Sequence, residues 1–151
     1  MKLIDILEES AVLYKGFLEL ENKKYDAVMK NDIEVIDDIV AKEQVYYLKM
    51  KGIDQKREKL IESMGCKGMT LKEIINSLEV TDKNELNDKY YELSRLILEV
   101  KKTTDLCKSL IEVRMHGIDK ALVQLGEKDN TYSNTENKNN SGKSLILSKK
   151  I

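Results

Sequence analysis

Not one proline occurs in the 151 residues of this chain, where an average composition would place about seven or eight. Proline removes a backbone donor and clashes with the preceding helical turn. A chain that avoids it altogether, and is rich in Lys, Glu and Leu, is free to form long uninterrupted helices. The apolar residues recur in alternating steps of three and four, the spacing that keeps one stripe of a helix facing a partner. These two features point to an all-α fold.

From Leu3 to about Met29 the stripe reads Ile4, Leu7, Ala11, Tyr14, Leu18, Tyr25 and Val28, with Glu21 as its polar interruption. Asn31 and Asp32 then punctuate the chain, and Asn31 with Glu34 reads as a capping box opening a second helix over about 33–64. Its stripe is Ile36, Ile39, Tyr46, Met50, Ile53, Leu60 and Met64, broken by Glu43 and Arg57. Gly52 lies inside it and predicts a bend or a close approach. Gly65 to Gly68 ends the pattern. Thr70 with Glu73 caps a short helix over about 70–79, and Thr81 to Asn84 breaks the chain again.

The last helix is expected over about 85–125. Leu86, Tyr90, Leu93, Ile97, Val100, Cys107, Ile111, Ile118, Ala121 and Leu125 keep the rhythm, with Thr104 and Arg114 out of register. Such a helix would be about 60 Å long, so it needs partners along its length. Past Gly126 the chain turns Asn-, Ser- and Lys-rich, the composition of a disordered tail. The expectation is an elongated antiparallel bundle, a coiled-coil hairpin with a long C-terminal helix, over residues 1–126, followed by a tail over 127–151.

Composition excludes several function classes. Lys plus Arg (26) nearly balance Asp plus Glu (27), whereas nucleic-acid binders carry a basic excess or stripe. No apolar run approaches the roughly 20 residues that cross a bilayer, and acids inside the MKLIDILEES start argue against a signal peptide. Cys66 and Cys107 match no metal spacing, so no metal or cofactor is expected and a reducing cytoplasm is the simplest compartment. His116, the one histidine, falls on the polar side of the last helix, without the positioned partner a general base needs. Ser141-Gly142-Lys143-Ser144 imitates the end of a phosphate-binding loop, but Asn137 stands where that loop needs glycine. No catalytic constellation remains, and an enzyme is not expected.

What remains is a surface. Placed at 100° per residue, Leu106, Leu110, Ile111, Val113, Met115, Ile118, Ala121, Leu122 and Leu125 cover about half of the last helix's circumference. That exceeds the roughly 100° stripe one packing partner needs. Either the first two helices or a second copy bury this arc, or part of it is left for a client helix. Heptads permit a monomer and a homodimer alike.

Two long helices, a short capped one after a glycine-containing break, a long final helix and a polar tail resemble the FlgN family of flagellar export chaperones. Asn31-Asp32-Ile33 is similar to the family's first junction, Gln55-Lys56-Arg57-Glu58-Lys59-Leu60 to its basic stretch ending the second helix, and Met69-Thr70-Leu71-Lys72-Glu73-Ile74 to its next helix start. Where the family often carries two asparagines three apart before a Leu-Leu pair, this chain has Thr104 and Cys107 before Leu110-Ile111. The resemblance implies a cytoplasmic chaperone that binds the C-terminal helical segments of hook-associated (hook–filament junction) proteins. It would escort them to the flagellar export gate or its ATPase complex. The partner-binding residues would be Leu106, Leu110, Ile111, Val113, Met115, Ile118, Leu122 and Leu125, with Tyr132 resembling an aromatic that family members present to the gate. The competing class is a structural coiled-coil adaptor without an export client.

Overall fold

A computed structural model describes residues 2–126, without the side chains of residues 80–82. Four helices follow one another: α1 (Leu3–Lys30), α2 (Ile33–Ser63), α3 (Leu71–Ser77) and α4 (Val80–Gly126). There is no strand among the described residues, and the all-α class holds. The expected tail and Tyr132 lie outside the described residues.

The turns explain the helix ends. Asn31 takes the left-handed conformation (φ 55°). Its N–H donates to the Val28 carbonyl at 3.2 Å and that of Asp32 to Ala27 at 2.9 Å, the pair of bonds that closes a Schellman motif. Asn31 therefore terminates α1, and Asp32 caps α2 by accepting the Val35 N–H at 3.2 Å. The capping residue expected at Asn31 is thus displaced by one position. Asparagine suits either job, and only the left-handed backbone decides between them.

Gly65 (φ 72°) closes α2 in the same way, with its N–H on the Glu62 carbonyl and that of Cys66 on Ile61. Thr70 and Glu73 form the expected reciprocal box. Glu73 N–H donates to Thr70 Oγ1 at 3.3 Å, and Thr70 N–H donates to Glu73 Oε2 at 2.7 Å. The Thr70 N–H, and next the Thr70 hydroxyl at 2.8 Å, donate to the Glu73 carboxyl and hold it below its ordinary range. The break expected at Thr81–Asn84 falls instead at Leu78 and Glu79, and α4 is already helical from Val80.

The chain divides into two compact units, Met1–Val113 and Arg114–Ile151. In the first, α1 and α2 form an antiparallel hairpin: Lys24 meets Glu43 at 2.6 Å while Lys56 meets Glu9 at 3.0 Å. The α4 segment of this unit runs parallel to α1, because Lys89 reaches Glu8 at 3.6 Å and Thr104 reaches Glu21 at 2.9 Å, partners rising together along both helices.

This makes α1 the central helix, and its burial shows it. Beside the expected stripe through Leu7, Ala11 and Val28 it buries a second, adjacent one through Leu3, Ile6, Ser10, Phe17, Leu20 and Ala27. A helix flanked on two sides needs a wider apolar arc than one with a single partner. Ser10 pays no penalty in that arc, since its hydroxyl donates to the Ile6 carbonyl at 2.6 Å.

The core has two parts. One gathers Leu3, Leu7 and Ala11 of α1, Leu71, Ile74 and Ile75 of α3, and Leu86, Leu93 and Leu96 of α4. The other gathers Phe17, Leu20, Ala27, Ile39, Met50 and Val100. The close approach expected at Gly52 is absent, since a Cβ there would meet open space. It occurs at Gly16, where a Cβ would lie 2.6 Å from the Tyr46 hydroxyl. Tyr46 can lie there because the neighbouring Phe17 ring receives it and Tyr47 at 5.6 and 5.5 Å between centroids.

Candidate interaction surface

Within the first unit the predicted arc splits in two. Cys107 is 1% exposed. Leu110 and Ile111, within roughly 60° of it around the helix, are half-buried. Leu106 and Val113, turned roughly 100–120° away, are exposed. The arc read as one surface is therefore a packed face and an open flank side by side.

In the second unit the described residues are 114–126, all helical. Met115, Ile118, Leu122 and Leu125 follow steps of three, four and three, which places them on one stripe. They are 56–66% exposed, and Val123 beside them is exposed as well. His116, Asp119 and Lys120 are exposed too. Burying large apolar side chains is worth about 1.5–3 kcal/mol each, and soluble chains rarely leave a contiguous row of them in water. Four in register form a surface suited to another amphipathic helix.

Sequence reasoning passed over a different feature. Glu21 of α1, Glu43 of α2 and Thr104 of α4 each interrupt a seam, and the fold joins them: Lys24 bridges the two carboxyls, and Thr104 bonds to Glu21. Lys24 Nζ lies 2.6 Å from Glu43 Oε1 and 3.7 Å from Glu21 Oε1, and Thr104 Oγ1 donates to Glu21 Oε2 at 2.9 Å. Cys107 Sγ donates to the Glu21 backbone carbonyl at 3.5 Å.

Glu21 is fully buried. Burial, and next the Glu43 carboxyl, push it up to about 7, against the pull of Lys24 and Thr104. Burial opposes the charge on Lys24, yet its hydrogen bond to Glu43 and the fields of both carboxyls leave it raised. Burial, followed by Glu21, pushes the Cys107 thiol up to about 11. Burial and the same two carboxyls raise the Tyr47 phenol. The signal was legible as three out-of-register polar residues, but their meeting depends on how the helices are aligned.

Among the described residues no group of three His, Cys, Asp or Glu side chains could hold a metal ion, and no helix is long and apolar enough to cross a membrane. A family model described as FlgN protein matches residues 1–140. The chain belongs to the FlgN family. No curated protein and no solved structure matches it. FlgN proteins are the flagellar export chaperones, and chaperones of this family bind flagellar hook-associated proteins. FlgN membership accords with a helical chain whose most conspicuous surface is an uncovered apolar stripe.

Proposed function

We propose that this chain is a cytoplasmic export chaperone that holds the C-terminal helical segments of hook-associated proteins and delivers them to the export gate or its ATPase complex. The client's apolar face replaces water on Met115, Ile118, Leu122 and Leu125, and Leu106 and Val113 offer a second open flank. The supporting observation is the contrast along α4. Leu86, Leu93, Leu96, Val100 and Cys107 are buried, whereas the apolar residues from Met115 to Leu125 are exposed. A helix that needed only to complete its own fold would have no use for that stripe.

Calorimetric titration of the full chain with the C-terminal helical segments of the host's hook-associated proteins tests the reading, with light scattering to fix stoichiometry. Saturable binding at micromolar strength or tighter, with a negative heat-capacity change, is expected. Ile118→Asp should weaken it roughly thirtyfold, the equivalent of about 2 kcal/mol, with the helical circular dichroism intact. Unchanged affinity in that variant refutes the site. No binding, together with a constitutive homo-oligomer, would establish the competing reading of a structural coiled-coil adaptor.

A further inference from the structure

The buried polar layer has no part in that function, and its geometry is unusual for a helical core. Two carboxyls and one ammonium meet where three helices pack. With all three ionised the layer would hold one uncompensated negative charge, and burying an unpaired charge is among the costliest acts a fold can perform. One ammonium serves both carboxyls, and it sits closer to one than to the other: Lys24 Nζ is 2.6 Å from Glu43 Oε1 but 3.7 Å from Glu21 Oε1. Glu21 is more deeply buried, its Oε2 accepts from the Thr104 hydroxyl at 2.9 Å, and its Oε1 has no hydrogen-bond partner.

A proton on Glu21 Oε1 resolves both difficulties. It makes the layer neutral, and it supplies a donor on the side of Glu43, the carboxyl that shares Lys24 with it. We propose that Glu21 is a proton-operated latch: as a neutral acid it ties α1 to α2 through Glu43 and to α4 through Thr104, and losing its proton loosens the α4 segment around Thr104 and Cys107.

Every group facing Glu21 fits that assignment. From its own helix comes Lys24, which lies 3.7 Å from Glu21 and closer, at 2.6 Å, to Glu43. From α2 come Glu43 and the Tyr47 phenol, which is held further from ionisation by the two carboxyls. Among the described residues of α4, those that bond to Glu21 are Thr104 and the Cys107 thiol, both neutral. Neither of these neutral groups can compensate a second negative charge beneath α4. That helix is therefore the element that gives way.

The direction of the pH effect follows. The carboxyl binds its proton more tightly in the packed layer than in the opened chain. The stabilisation is fully present below the ordinary value of 4.5 and is lost as pH rises through about 7. The full chain is the sample, and amide hydrogen exchange along α4 is the readout, corrected for the intrinsic pH dependence of exchange. Between pH 6 and pH 8 the opening constant of the amides from Leu96 to Cys107 should rise about tenfold.

In Glu21→Gln, whose amide donates to Glu43 and accepts from Thr104 at every pH, the rise should vanish. A change below twofold in the parent chain, or the same tenfold rise in the Gln variant, overturns the latch. Should that variant not fold, carboxyl NMR of the parent chain decides directly. A Glu21 midpoint above 5.5 supports the latch and one below 5.5 overturns it.

Discussion

α3 tests how far tertiary packing alone can sustain a helix. It has seven residues, well under the roughly 12–15 an isolated helix needs to be even marginal in water. What holds it is the buried row Leu71, Ile74 and Ile75, with Ile74 and Ile75 each 1% exposed. These side chains join Leu7 and Ala11 of α1 and Leu86 and Leu93 of α4 in one cluster.

Ile75→Ala removes three carbons from that cluster and leaves a cavity. Substitutions of this kind cost about 2–5 kcal/mol, and about 3 is expected here because α1 and α4 are long helices that cannot collapse into the gap. In urea denaturation followed by circular dichroism this is a midpoint drop of about 1.5 M, taking a slope near 2 kcal/mol/M.

The cap supplies an internal control. Thr70→Ala alone should cost about 1 kcal/mol. On the Ile75→Ala background it should cost less than half of that, because a cap stabilises α3 only while α3 remains docked. Contacting sites couple in this way, whereas independent ones add. A cost below 1 kcal/mol for Ile75→Ala, or strict additivity of the pair, would refute the argument that burial makes this helix.

Two further expectations concern the polar layer. Lys24→Met leaves Glu43 buried without its cation, at a cost of about 3 kcal/mol at pH 8. The loss should be smaller at pH 5, where Glu21 holds its proton and one buried carboxylate remains in place of two; urea midpoints of parent and variant at both pH values check this. Cys107, buried and with its thiol pushed up to about 11, should resist a thiol reagent at pH 8 until the chain is denatured. Cys66, only half-buried, should react first; timed labelling with mass spectrometry distinguishes the two, and equal rates would contradict the packing around Cys107.

The seams of α2 as far as Leu60 and of α4 as far as Ile111 could be read directly, because over those stretches a stripe of threes and fours follows the buried face, whereas Met64, Ile118, Ala121 and Leu125 of the same stripes are exposed. α1 was read by the same rule and only half of it emerged. Leu3, Ile6, Phe17 and Leu20 look like scatter beside one stripe and become a second stripe only once two partners are known. The surface on α4 was legible as an arc but not as its division into packed and open parts. Whether Leu110 or Leu106 is covered depends on where the hairpin lies, which no spacing within α4 encodes. Gly16 and Gly52 show the same limit. Both are glycines inside helices, and only the position of Tyr46 distinguishes the close approach from the neutral one.

Only Asn31 and Asp32 separate α1 from α2, and both are bound into the caps of the helices they join. A turn this short acts as an index pin. One inserted residue would swing α2 by about 100° about its axis, carrying Ile39, Met50 and Ile53 off the core and Glu43 away from Lys24. Changes of residue at the exposed positions of α2 leave that alignment intact, whereas changes of length at residues 31–32 do not. Insertions and deletions should therefore be far more damaging at this junction than substitutions on the helix surface, because here the number of residues, more than their identity, sets which faces meet.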